Sequence, residues 1–277
     1  MTISLKGAGS LSRKLTAILI TAGMLLSGLG FAADNSIYID QSGDNTSVTV
    51  TQDGAGNVVR GIQVPGGGTS NTTPAKIYGD SNTVVVEQIG SGSRLDFGIN
   101  TTIAATPQAG GNMFRYKVTG NNAVAIINSN NDGQGTSASN IVDVEQTGNN
   151  AYANINVLGT NNKITAVTTG GANNSFTSVV NGDGNKQVVN ISGGGGNQAS
   201  ISQLGNAGVV DLTSVGASNQ FTVNQTGGGA VGHNTTIDNT GSSNIYSITQ
   251  AGTAGDSIVN LKSVGSSNTF TINSNTK

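Results

Sequence analysis

The sequence predicts an all-β protein, a β-solenoid whose strand-turn-strand repeats stack into two facing sheets with an amyloid-like core. Three observations predict it. One nine-residue pattern recurs: Asn, five residues, Gln, one residue, Gly. Inside each copy polarity alternates residue by residue. Between copies lie short segments rich in Gly, Asn and Ser, such as "GGGGN" and "GASN", which supply tight turns.

In chain order the first element is residues 1 to 32. Lys6, Arg13 and Lys14 precede the apolar stretch "LTAILITAGMLLSGLGFA", and Gly30 and Ala32 place small residues just before Ala33. Cationic, then apolar, then small is the order of a cleaved secretory signal. The run from Leu15 to Ala33, 19 residues, just reaches the length of a bilayer anchor, but Gly, Thr and Ser interrupt it.

Residues 33 to 57 open the repeats with "NSIYIDQSGDNTSVTVTQDGAGN" from Asn35. Asn35 and Gln41 frame Ile37 and Ile39. Counted from Asn45, the second copy is one residue out, with six residues before Gln52. Residues 58 to 139 hold a full copy from Asn82 to Gln88 around Val84 and Val86, and a degenerate one, "NMFRYKVTG", from Asn112. Three stretches, near 58 to 78, 91 to 111 and 129 to 139, break the pattern and read as insertions. Pro65, Pro74 and Pro107 fall in the first two. Proline cannot donate to a strand ladder, so loops projecting from the coil are predicted there.

From 140 to 277 the copies run on continuously. Asn140 and Gln146 frame Val142 and Val144, and Asn197 and Gln203 frame the next full copy. Asn219 and Gln225 enclose Phe221 and Val223, and Asn244 and Gln250 enclose Tyr246 and Ile248. Asn268 opens a last copy with Phe270 and Ile272, where Ser274 stands in the Gln place. Degenerate copies from Asn162, Asn174, Asn185 and Ser257 fill the gaps. The Gln position recurs at 146, 157, 168, 180, 191, 203, 214, 225, 239, 250, 263 and 274, in steps of 11 to 14 residues.

Period-two alternation marks a half-buried strand, here with Asn, two apolar residues and Gln on the inner face. One such strand cannot bury its face alone. Two copies make one coil, and stacked coils build a continuous core. A longer echo agrees: "LTSVGASNQFTVN" from 212 returns as "LKSVGSSNTFTIN" from 261, 49 residues on, which is two coils. Stacking would set each inner amide above its equivalent, donating to one neighbour and accepting from the other. An isolated buried amide would be costly.

Composition excludes several function classes. Only 9% of the 277 residues are charged, against about a quarter in ordinary globular domains. Regularly spaced Val, Ile and Thr argue against simple disorder. Net charge is -2, and without the leader 9 Lys and Arg face 14 acidic residues, so no basic footprint for nucleic acid exists. Cysteine is absent, which excludes disulfide scaffolds and thiolate metal sites. His233, the only histidine, stands at the Asn place of a degenerate copy and reads as structural. A Ser-His-Asp triad has no nucleophile motif to support it. "NSNNDG" from Asn128 starts like a calcium loop, but Asn replaces the first Asp and Ser139 replaces the final Glu. The Gly-rich loops lack the Lys and the helix of a phosphate cradle. No catalytic residue, cofactor or small-molecule substrate is indicated. Asp40, Glu87, Asp143 and Glu145 fall on outward positions, where a solvated acidic face limits sideways aggregation.

The units from Asn35 onward resemble the curlin repeats of bacterial curli, the functional amyloid fibres of biofilm matrix. The curlin pattern is Ser or Asn, five residues, Gln, one residue, Gly, a short gap, then Asn, five residues, Gln. The resemblance is strongest over 35 to 57 and 140 to 277. It implies a secreted cell-surface fibre of a Gram-negative-type bacterium, serving adhesion, surface colonisation and biofilm. It also implies self-assembly, a second curlin-like subunit as nucleator or co-polymer, and an outer-membrane secretion channel. Curlin subunits usually carry a non-repeat address after the signal; here only Ala33 and Asp34 precede the first copy.

Two function classes follow: a structural fibre subunit, and a secreted monomeric β-solenoid for adhesion or ligand binding with the insertions as its binding face. Caps discriminate. A monomeric solenoid needs its terminal strands blocked, whereas copies here begin two residues after the cleavage position and continue to Ser274.

Overall fold

Alternating side chains give every copy one apolar face to bury, and stacking copies is how the chain buries it. The computed structural model describes residues 2–6, 34–62, 72–101, 111–130, 139–227, 232–252 and 257–276. All regular elements there are strands. In chain order they begin with β1 (Thr2–Lys6), β2 (Ser36–Ile37), β3 (Ile39–Ser42), β4 (Ser47–Asp53), β5 (Val58–Gly61) and β6 (Ala75–Tyr78). There follow β7 (Thr83–Ile89), β8 (Arg94–Ile99), β9 (Met113–Thr119), β10 (Val124–Asn130), β11 (Ile141–Thr147), β12 (Tyr152–Leu158) and β13 (Lys163–Gly170). The series closes with β14 (Ser175–Asn181), β15 (Lys186–Gly193), β16 (Gln198–Leu204), β17 (Gln220–Gly227), β18 (Ile245–Gly252) and β19 (Thr269–Thr276).

The chain winds as a β-solenoid of two parallel sheets. Sheet I stacks β2–β3, β5–β6, β8, β10, β12, β14, β16, β17, β18 and β19. Sheet II stacks β4, β7, β9, β11, β13 and β15, and continues through isolated parallel bridges from Lys186 to Val209, Asn234 and Ile258. Each coil lays one rung in sheet I and the next in sheet II. The twelve Gln positions from 146 to 274 alternate between the sheets accordingly, which is why their spacing is half a coil.

Corners are tight. Most have three residues, the last in the left-handed conformation, as at Asn45 (φ 56), Asn122 (φ 56) and Ser267 (φ 60), a region Asn tolerates better than most residues. The corners 170–173 and 193–196 have one residue more and place Asn173 (φ 63) and Gly196 (φ 76) there. The first corner residue is glycine for a second reason. A Cβ on Gly43 would lie 2.2 Å from the Gly79 carbonyl oxygen, so a side chain there would force adjacent coils apart.

Aromatic rings fill the space between the sheets. Phe97 of sheet I stacks on Phe114 of sheet II at 4.9 Å. Along sheet I, Phe221 stacks on Tyr246 at 4.8 Å and Tyr246 on Phe270 at 5.4 Å. Such pairs add about 0.5–1.5 kcal/mol each beyond their area.

The early coils correct three expectations. The copy after Asn45 is not out of step: Thr46 takes the Asn place, buried, and Asn45 is a corner residue. The stretch 58 to 78 is not wholly a loop, because β5 and β6 form one broken rung. Tyr38 joins the halves, donating its N–H to Val59 O at 2.8 Å and accepting the Ala75 N–H at 2.8 Å. Likewise β8 runs through 91 to 111, with Leu95, Phe97 and Ile99 fully buried. Pro74 lies beside Ala75 just before β6, while Pro65, Pro107 and residues 131–138 are outside the described residues.

Residues 7–33, with Arg13, Lys14, Gly30 and Ala32 of the segment expected to be a secretory signal, are also outside the described residues. The backbone of β1 runs antiparallel along the outer edge of β4, with Thr2 opposite Thr51 and Lys6 opposite Ser47.

Candidate functional site

Two features of the coil bear on what it can do: the polar ladders inside it and the rungs at its ends. The ladders start from the corner, which turns the Asn side chain inward at each strand entry. Asn82, Asn140, Asn197, Asn219 and Asn244 are all buried. Their Oδ1 atoms accept the backbone N–H of the residue one coil on: Asn82 from Asn112 at 3.2 Å, Asn197 from Asn219 at 2.9 Å, Asn219 from Asn244 at 3.0 Å. The Nδ2 atoms of Asn82, Asn140, Asn197 and Asn244 donate to corner glycine carbonyls, as Asn140 does to Gly159 O at 2.8 Å.

The ladder is therefore chiefly side chain to backbone, unlike the amide-on-amide chain read from the sequence. Amide-on-amide contacts are added at some steps, as where Asn112 Nδ2 donates to Asn82 Oδ1 at 2.9 Å and Asn219 Nδ2 to Asn197 Oδ1 at 3.1 Å. Because the donor is a backbone N–H, any residue but proline can follow an Asn. Gly208 takes the place above Asn185 and donates at 2.8 Å.

Several glutamines pair with one another. Gln203 Nε2 donates to Gln225 Oε1 at 2.8 Å, and Gln225 Nε2 to Gln250 Oε1 at 3.0 Å. Gln52 donates to Gln88 at 2.8 Å in sheet II. Gln146 stands apart between Val118 and Thr168. Its Oε1 accepts the Tyr116 hydroxyl at 3.0 Å, and its buried Nε2 has no partner. Burial pushes the Tyr116 phenol well above the usual tyrosine range.

Apolar residues follow the same geometry. Val84, Val86, Val142, Val144, Phe221, Val223, Tyr246 and Ile248 are buried. Ile37, Ile39, Leu261, Phe270 and Ile272 are inward but only partly buried. These five belong to β2–β3, the 257–263 rung and β19, each of which lacks a further rung on one side. Asn35, Gln41 and Asn268 are partly exposed for the same reason. Gln41 has Ile77 as its neighbour and turns its Nε2 to Gly43 O at 2.6 Å.

Outward charges form short ladders on sheet II. Arg115 lies 3.7 Å from Asp143, Lys117 3.5 Å from Glu145, and Lys262 3.0 Å from Asp238. Exposed pairs of this kind contribute about 0–1 kcal/mol each. A buried pair, missed in the sequence, links β5 to β8: Arg60 Nε lies 2.7 Å from Asp96 Oδ1. Both point outward from sheet I yet are nearly inaccessible. Their 36-residue separation left no local signal.

His233 is buried at the Asn place, its Nε2 3.2 Å from Thr226 O. Asn128, first residue of the calcium-like stretch, faces out of β10 and donates to Asn156 Oδ1 at 3.2 Å. A shallow groove on sheet I, lined by Ile62, Ile126, Asn128, Asn154 and Val179, contains no titratable side chain. Comparison with protein-family models, curated proteins and solved structures finds no match for the chain.

Proposed function

We propose that residues 33–277 form a structural subunit of a curli-like extracellular fibre, growing end to end by addition of terminal rungs. One observation carries the reading: the core-facing side chains left partly open, Ile37, Ile39, Leu261, Phe270 and Ile272, all lie at the two ends of the coil. An open sheet edge templates an incoming strand through its unpaired N–H and C=O groups. Stacking then extends the apolar and amide ladders along the axis. Export by the leader, an outer-membrane channel, a nucleating subunit and a role in biofilm and adhesion belong to the same reading. They rest on the resemblance to curlin repeats.

The test is assembly of purified residues 33–277, followed with an amyloid dye and by fibre X-ray diffraction. Fibres with a meridional reflection near 4.8 Å support the reading. A chain that stays monomeric at high concentration overturns it in favour of a monomeric adhesin.

A further inference from the structure

We infer that successive subunits are related by a half-turn about the coil axis. In this joint β2–β3 of an incoming copy docks on the 257–263 rung of the preceding one, and its β4 docks on β19. The inference rests on the fibre reading and specifies how its subunits meet.

The argument begins with the rung count. From residue 34 on, the described chain lays ten rungs in sheet I, β2–β3 through β19, and nine in sheet II, β4 through 257–263. Both end rungs therefore belong to sheet I. A copy added in the same orientation would set β2–β3 on β19 and leave sheet II one rung short. That vacancy, about 4.8 Å wide, would strand backbone N–H and C=O groups on both its sides. After β19 the winding path next passes over the sheet II side. Only a half-turn places the incoming β2–β3 there.

The corners allow it. Gly43-Asp44-Asn45-Thr46 and Gly265-Ser266-Ser267-Asn268 have the same length and the same left-handed third residue, Asn45 at φ 56 and Ser267 at φ 60, and differ at the first, where Gly43 but not Gly265 has positive φ. Within the chain, the second corner residue accepts the amide of its equivalent one coil earlier. Asp80 Oδ1 takes the Asp44 N–H at 2.6 Å and Ser266 Oγ takes the Ser242 N–H at 3.1 Å. At the joint the Asp44 carboxylate takes the Ser266 amide. Asn268 Oδ1 takes the Thr46 N–H, as Asn244 Oδ1 takes that of Asn268 at 2.8 Å.

Side chains match as well. Ile39 covers Leu261, and Val48 and Val50 cover Phe270 and Ile272. On the outer face Asp40 falls opposite Lys262, extending the Lys262–Asp238 pair at 3.0 Å into an alternating ladder. In the same-orientation stack Asp40 would face Asn273 instead. The joint also uses the edge of β4 along which β1 runs, so this end becomes available once residues 1–32 are removed.

The chain has no cysteine, so engineered pairs report cleanly. Tyr38→Cys with Asn260→Cys, and Thr49→Cys with Thr271→Cys, place thiols on adjacent rungs only across the half-turn joint. Tyr38→Cys with Thr271→Cys does so only in the same-orientation stack. Each variant of residues 33–277 is assembled, checked for the reflection near 4.8 Å, oxidised, and run on a denaturing gel. Covalent ladders from the first two pairs, with the third remaining monomeric, support the joint. Laddering by the third pair, or by none in well-formed fibres, overturns the half-turn while leaving the fibre reading intact. Absence of fibres from the unsubstituted chain overturns both.

Discussion

The side-chain amide of Gln225 donates to Oε1 of Gln250 at 3.0 Å, one coil further along the axis, while its own Oε1 accepts from Gln203 at 2.8 Å. Both neighbours are buried, so removing the middle member leaves Gln203 Nε2 with only a long contact to Lys186 O at 3.4 Å and Gln250 Oε1 with only the Thr235 hydroxyl. An unsatisfied buried group costs about 1–3 kcal/mol. Gln225→Leu should therefore lower unfolding stability by about 1–3 kcal/mol in denaturant titration. Gln146→Leu combined with Tyr116→Phe should cost less than about 1.5 kcal/mol, because Gln146 Nε2 is already without a partner and the pair leaves no new orphan. Equal losses for the two variants would show that the glutamine ladder adds nothing.

The fold was legible in the sequence because each rung carries its own markers. From 140 onward Asn at entry, alternation and Gly at exit coincide, and the half-coil spacing of the Gln position follows directly. The early coils were harder to read because the markers are substituted or separated. In "SRLDFGIN" Ser93 stands for Asn and Ile99 for Gln, so β8 lost both labels while keeping its buried Leu95 and Phe97. In β5–β6 the copy is cut in two. Joining Arg60 to Ala75 restores "NVVRAKIYG", an Asn, five residues, Ile at the Gln place, one residue and Gly. The Arg60–Asp96 pair was invisible because it depends on which rungs become neighbours. The end rungs were legible as strands, but that both lie in sheet I emerges only from counting rungs in space.

That split copy makes a prediction about residues 61–74. Tyr38 bonds Val59 O and the Ala75 N–H as though Ala75 followed directly on Arg60, and Gly61 would place a Cβ 2.2 Å from Pro74 O, so the break is closed at its base. Deleting 61–74 should yield one continuous rung. Shortening a loop relieves closure entropy only slowly with length, so the melting temperature should stay within a few degrees of wild type or rise. Loss of the β-rich circular dichroism spectrum would show that the inserted segment is needed to hold the rung.

Asp96 offers a sharper stability test. Its carboxylate meets Arg60 at 2.7 Å and Arg94 at 3.4 Å, and the Arg60 side chain is only 8% accessible. Removing one partner of a buried pair leaves an uncompensated charge, at about 3–5 kcal/mol, whereas replacing both with apolar residues is often neutral. Asp96→Ala should unfold at markedly lower denaturant concentration, while Arg60→Met with Asp96→Leu should restore most of the loss. If the single and double variants are equally destabilised, the pair is not what holds β5 to β8.

Terminal addition itself is tested at Ile37 and Ile39. Both face inward on the first rung and are only partly buried, so substitution there disturbs the free subunit less than it would in the middle of the coil. In a growing fibre the same side chains become enclosed by the preceding copy. Lysines at these places would carry two charges into that enclosed layer, and desolvating an unpaired charge costs several kcal/mol. Ile37→Lys with Ile39→Lys should therefore leave the monomer folded by circular dichroism but slow seeded elongation by at least about a hundredfold, since 1.4 kcal/mol is already a factor of ten. Tyr38→Ser, on the outward side of the same rung, should elongate within a few-fold of wild type. Wild-type elongation by the double lysine variant would mean that growth does not pass through this rung.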